Sequence, residues 1–225
     1  MRYFRSGIYA VLDGDRLGLA TRMERRPPVN LLRAYAVAAA DAGAVAVQLR
    51  LKHLPLGHPT RLTALNALRR ALGGRIPVIA DDDLLAAVGA HVGLHLGQDD
   101  GDPQAARAQL DPEALLGFST HTVAQVTAAQ ALPVQYLGFG PVRATNGKQT
   151  RDAVTGLDGL ALAVAASRIP VVAIGGLTLV DVAAVRATGA HAIAVIGAWL
   201  GPIGAPHDIP TAQLRLAELV AAWNA

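Results

Sequence analysis

The chain has 225 residues, 52% of them hydrophobic and 16% charged, with no cysteine and a formal net charge of +3. This composition excludes disorder, a disulfide scaffold, Cys-ligated zinc, Fe–S clusters and thiol nucleophiles, so a bound metal would use oxygen or imidazole ligands. The positive charge comes from scattered arginines and aromatics are only 4%, which argues against a nucleic-acid partner. No stretch approaches the ~18 uninterrupted apolar residues of a spanning helix. The N-terminal run Met1 to Gly14 ends its apolar part at Asp13 without the form of a signal peptide. A cytoplasmic protein with no membrane partner is expected.

Short runs of Val, Ile and Leu read as buried strands at Ile8–Leu12, Ala44–Leu51, Pro77–Ala80, Val92–Leu96, Leu115–Ser119, Val134–Phe139, Pro170–Ile174 and Ala192–Ile196. Ala-rich segments with helical spacing separate most of them: Leu31–Ala42, Leu62–Leu72, Leu84–Val88, Pro103–Gln109, Val123–Ala131, Leu157–Ala166 and Leu179–Thr188. A last helix reads from Thr211 to Trp223, after a Pro/Gly-rich connection at Gly201–Pro210. The dipeptides Gly43-Ala44, Gly89-Ala90 and Gly189-Ala190 place a glycine where a helix would end in a left-handed cap. Strands alternating with helices predict a parallel sheet, and about eight such pairs predict an α/β fold, a single (β/α)8 TIM barrel over residues 1–225. The stretch 21–29 reads as an extra loop. No Gly-x-Gly-x-x-Gly fingerprint follows the first strand, which argues against a dinucleotide fold.

In a parallel barrel the strands are covered on both faces, so polar residues at their C-terminal ends mark the active-site mouth. Gln48, Arg50 and Lys52 alternate onto one face at the end of the second strand and make an anion site. Acids follow the third and fourth strands, at Asp81-Asp82-Asp83 and Asp99-Asp100. Asp83 and Asp102 each precede a helix and read as N-caps. Capping leaves acids to spare, and Asp81 and Asp100 suit Mg²⁺ held by one or two carboxylates and substrate phosphate oxygens. His121, after the fifth strand, reads either as a general acid/base or as a group bonded to the next helix. The polar loop Arg143–Asp152 after the sixth strand reads as a lid carrying a cation. Gly175-Gly176 and Ile196-Gly197 end the last two strands and form a second phosphate site. Two anion sites imply two phosphorylated small molecules or one bis-phosphate.

Taken together, Gln48-Leu49-Arg50-x-Lys52, the Asp81 cluster, His95-Leu96-Gly97-Gln98-Asp99-Asp100, Ser119-Thr120-His121, Gly140-Pro141-Val142 with Thr145 and Lys148, and Ala173-Ile174-Gly175-Gly176 resemble the thiamine-phosphate synthase/thiazole tautomerase superfamily. The resemblance runs from Ile8 to about Leu200. It implies a transferase that joins hydroxymethylpyrimidine diphosphate to hydroxyethylthiazole phosphate, releasing pyrophosphate by a dissociative route with Mg²⁺ as cofactor. By the same resemblance Gln48, Arg50, Lys52 and Lys148 would hold the diphosphate, with Arg50, Lys52 and Lys148 catalytic, and Asp81 and Asp100 would bind the metal. Ser119 would lie near the pyrimidine, Thr145 would contact the thiazole, and Gly176, Ile196 and Gly197 would take its phosphate. Leu49, Leu51, Ala80, Asn146 and Gly147 complete the implied substrate-binding set.

The family pattern has Glu where Leu51 stands, Asn at Ala80, usually Arg at Asp82, an aromatic and Pro at Arg143-Ala144, a second Thr at Gly147 and Ser at Gly197. Two other readings are an isomerase using His121 as its base and a degenerate barrel that binds the intermediates without turnover. A homo-oligomer is compatible with the sequence.

Overall fold

A computed structural model of the chain describes residues 4–19, 28–145 and 153–225. The strands are β1 (Gly7–Asp13), β2 (Ala46–Arg50), β3 (Val78–Asp81), β4 (Gly93–Leu96), β5 (Leu116–Thr120), β6 (Tyr136–Phe139), β7 (Val171–Ala173) and β8 (Ala192–Val195). They close into one parallel barrel in sequence order. Between them run α1 (Val29–Asp41), α2 (Pro59–Leu72), α3 (Leu84–Ala90), α4 (Pro103–Gln109), α5 (Val123–Ala129), α6 (Gly156–Ala165) and α7 (Val182–Ala187), followed by α8 (Gly197–Leu200) and α9 (Ile209–Asn224). Among the described residues no helix is long and apolar enough to cross a membrane.

Local chemistry sets the helix ends. Asp83 and Asp102 cap α3 and α4, accepting from the backbone N–H groups of Ala86 and Gln104, as their position before apolar helices requires. Thr122 and Gln125 form a reciprocal capping box at α5. The structure corrects several boundaries, three of them with a local cause. Gly89-Ala90 lies inside α3, and His91, at φ 54°, supplies the left-handed cap instead. The helix expected at Leu179–Thr188 begins as a 3-10 turn, Leu179–Asp181, before α7. The last helix starts at Ile209, inside the expected connection, because Asp208 caps it and Pro210 fits its first turn.

Strand alternation sorts the core into two layers. Outward residues such as Ile8, Leu12, Val47, Leu49 and Leu94 pack under the helices. Inward residues, among them Tyr9, Val11, Ile79, Tyr136, Val172 and Ala194, fill the barrel with Phe4 plugging in from before β1. Inward strand positions carry glycine at Gly7, Gly93, Gly117 and Gly138, and two of these lie under rings. A Cβ on Gly117 would fall 2.1 Å from the Tyr136 ring, and one on Gly138 would lie 3.3 Å from His95. Gly117 and Gly138 therefore clear room in a narrow interior for the Tyr136 and His95 rings.

Gly117→Ala should destabilise the fold by about 1–3 kcal/mol, the scale of overpacking in a closed core. The check is the midpoint of chemical denaturation. An unchanged midpoint would mean that the Tyr136 ring does not lie against β5.

Candidate active site

The C-terminal ends of the strands surround a cavity of about 460 Å³. Its charged side begins with a register match. Asp13 and Arg50 are opposite residues at the ends of β1 and β2, both inward by alternation, and Arg50 Nη1 donates to Asp13 Oδ2. Arg50 Nε lies 3.8 Å from Asp81 Oδ2 at the end of β3, and Gln48 Nε2 donates to Asp81 Oδ1 at 3.0 Å. Lys52 follows β2, placing its ammonium 3.6 Å from Asp81 and in contact with Asp82.

Asp82 is the next residue after β3 and would point outward if extended alternation continued. Its backbone is left-handed, φ 59°, and its carboxylate lines the cavity beside Asp81. Asparagine and aspartate tolerate that conformation best among non-glycine residues. Asp100 is brought in by a second local device. Gly97 N–H donates to Asp100 Oδ2 at 3.1 Å, and a Cβ on Gly97 would sit 2.2 Å from that oxygen.

These acids are not equivalent. Burial alone would raise the Asp82 carboxyl, but the hydrogen bond and charge of Lys52, helped by His95, outweigh it and hold it below the ordinary range. Burial and then the Asp82 charge push the Asp100 carboxyl up, against the pull of Lys52. The Lys52 ammonium is raised, because Asp81 and Asp82 more than offset its desolvation. Among the described residues no group of three or more His, Asp and Glu side chains is arranged to hold a metal by itself.

The floor is a hydrogen-bonded chain. Ser119 Oγ lies 2.9 Å from His95 Nε2, His95 Nδ1 lies 3.0 Å from Tyr136 OH, and Tyr136 OH lies 3.0 Å from Tyr9 OH. Burial makes both phenols weaker acids, raising their pKa values well above the usual phenol range, so they remain protonated. Arg61, buried on α2, secures the rim from outside by donating to the carbonyls of Leu51 and Leu54 at 2.8 Å and of Asp81 at 3.2 Å.

Of the expected residues, Gln48, Arg50, Lys52, Asp81, Asp100, Ser119, Thr145, Gly176, Ile196 and Gly197 line this one cavity. Asn146, Gly147 and Lys148 fall outside the described residues. The side chains of Leu49, Leu51 and Ala80 do not belong to the cavity. They lie on the opposite strand face and are buried in the layer beneath the helices. Thr122 caps α5, and the His121 backbone N–H donates to Gln125 Oε1 of that helix at 2.6 Å. The His121 ring places Nδ1 2.6 Å from the Gly140 carbonyl, which makes Nδ1 the protonated nitrogen. Asp13, Arg16, Asp82, His95, Tyr9 and Tyr136 were missed as site residues. For Tyr9, Asp13 and His95 the alternation that selected Arg50 was a usable signal.

The family described as thiamine monophosphate synthase matches residues 23–199. A thiamine-phosphate synthase of Azorhizobium caulinodans is 42% identical over 165 residues, 71% of this chain and 76% of its own. One from Moorella thermoacetica is 38% identical over 196 residues, 87% of this chain and 89% of its own. Among solved structures, a thiamine phosphate pyrophosphorylase from Pyrococcus furiosus superposes with a TM-score of 0.76 at 29% identity, covering 97% of this chain and 96% of that one.

Lys52 sets the acid limit of this cluster. The depressed Asp82 carboxyl contributes stability that is present above the ordinary carboxylate range and lost as pH falls through its lowered value. In Lys52→Met the lowering partner is gone and burial pushes the carboxyl up, so this acid-side loss should shrink or change sign. Urea unfolding between about pH 2 and 6 measures it. An acid limb superimposable on the parent's would remove Lys52 from this role.

Proposed function

The chain belongs to the thiamine monophosphate synthase family, and from that premise we propose how its own residues perform the coupling. The enzyme is a transferase that moves the hydroxymethylpyrimidine group from its diphosphate to hydroxyethylthiazole phosphate, forming thiamine phosphate and pyrophosphate. The observation that carries this reading is the gathering of Gln48, Arg50 and Lys52 against Asp81, Asp82 and Asp100 on one side of the cavity. A diphosphate needs positive charge, and it needs that charge fixed before the reaction.

Mg²⁺ fits the donor set. Asp81 and Asp100 offer hard carboxylate oxygens, and the ion ordinarily completes its shell with water and substrate phosphate. The raised Asp100 carboxyl, pushed by burial and by Asp82, marks a spot short of positive charge. Asp81 and Asp100 would hold the ion, which would supply neutralisation of the diphosphate.

The pyrimidine C–O bond breaks with its electron pair leaving on pyrophosphate, and the aminopyrimidine ring carries the resulting cation. Arg50 and Lys52 bind the departing group, together with Lys148 on the family's pattern. Ser119, held by His95, faces the pyrimidine. The thiazole nitrogen donates its lone pair to the cationic carbon, positioned by Thr145, with its phosphate toward Gly176, Ile196 and Gly197. Little proton transfer is required, so positioning and charge carry the rate.

Incubation with both substrates, with and without Mg²⁺, should yield thiamine phosphate only with the metal. Asp100→Ala should lower turnover by at least ~100-fold, the scale of a lost charge stabiliser. Wild-type turnover in that variant would remove Asp100. Isomerisation of a thiazole carboxylate phosphate without any coupling, lost in His121→Ala, would reverse the assignment.

A further inference from the structure

The proposed function leaves the second substrate's phosphate without a named cation. We propose that Arg16 is that cation, and that Gly197 is the residue whose missing side chain admits it. The inference rests on the coupling reaction above for the identity of the ligand.

Arg16 lies just beyond β1, and three contacts fix it across the barrel mouth. Its N–H donates to Asp13 Oδ1 at 2.8 Å. Its carbonyl accepts from Gly204 N–H at 3.0 Å. Its Nε donates to the Gly201 carbonyl, beyond α8, at 2.6 Å. The guanidinium thereby rests against the start of α8. A Cβ built on Gly197 would fall 2.4 Å from Arg16 Nη2 and 2.7 Å from Cζ. A side chain at 197 and this arginine position exclude one another.

The charge of Arg16 differs in kind from its neighbours'. Arg50 and Lys52 face Asp13, Asp81 and Asp82, and Arg143, next to Gly176, pairs with Asp181 at 3.0 Å. Arg16 lines the same cavity, yet its acceptor is a neutral carbonyl. Among the described residues no carboxylate lies within ion-pair distance of it. Its two terminal nitrogens offer the planar fork that matches two phosphate oxygens.

The cavity therefore has an acid-rich end and an acid-free end. A phosphate monoester is repelled by the first unless a metal covers the carboxylates, and is drawn to the second. The electrostatics sort the two phosphorylated substrates by end, which makes Arg16 a specificity-determining residue of the thiazole side.

The experiment compares the full-length parent with Arg16→Met, Arg16→Lys and Gly197→Val. It measures kcat and KM for hydroxyethylthiazole phosphate, for the unphosphorylated hydroxyethylthiazole and for the pyrimidine diphosphate. Arg16→Met should raise KM for the thiazole phosphate by about 10- to 100-fold, the range of a hydrogen bond to a charged group. KM for the diphosphate should stay within about twofold, and the preference for phosphorylated over unphosphorylated thiazole should collapse. Arg16→Lys should recover part of it, and Gly197→Val should reproduce the defect with Arg16 present. An unchanged KM, or an equal loss on both thiazoles, overturns the proposal. Calorimetric titration of hydroxyethylthiazole phosphate onto each protein separates the two claims. If the parent binds it but never couples, weaker binding in Arg16→Met upholds the arginine while the coupling reading falls. If the parent does not bind it, the arginine assignment falls too.

Discussion

The site depends on the pairing between Arg50 and the carboxylates around it. Arg50 stands at an inward position of a closed barrel, where an unpaired guanidinium would be costly. Asp13 opposite it on β1 and Asp81 on β3 make the position tenable. The same carboxylates attract Lys52, and Lys52 holds Asp82 ionised. One register match thus propagates into a network spanning three strand ends. A network of this kind is preorganised for a charged leaving group, since its members are aimed before any ligand arrives.

The layer below the network explains why the mouth is firm. Tyr9 and Tyr136 are buried rings that contact Phe4, and His95 stacks on Tyr136. Their bulk is admitted by Gly117 and Gly138. The polar edge of this aromatic floor ends at Ser119, so the packing that stabilises the barrel also orients a hydroxyl toward the cavity. Removing interior glycines would consequently alter both stability and site geometry.

Much of this was legible in the chain itself. The alternation of Val/Ile/Leu runs with Ala-rich helical stretches identified the closed barrel, and side-chain alternation at the end of the second strand found Gln48, Arg50 and Lys52. Parity also turns the side chains of Leu49, Leu51 and Ala80, which the resemblance had drawn in, away from the cavity. Asp82 was hidden because a left-handed backbone breaks the period on which parity relies. Arg16 was hidden for a different reason. Its role arises from a glycine 181 positions away along the chain, and no local pattern encodes such a meeting. Tyr9 and Tyr136 sat within continuous apolar strands, where a phenol looks like core until its hydroxyl partner is seen.

The chain of hydroxyls from Tyr9 to Ser119 carries a polarity. Each hydroxyl has a single proton, and neutral imidazole has one N–H, so donors and acceptors along the line are tied together. When His95 donates from Nε2, Ser119 is left to present its own proton to the cavity; in the other tautomer Ser119 donates inward and shows lone pairs instead. A heterocycle that reverses one ring nitrogen from acceptor to donor would be read as a mismatch by a phenol on the first strand that it never touches.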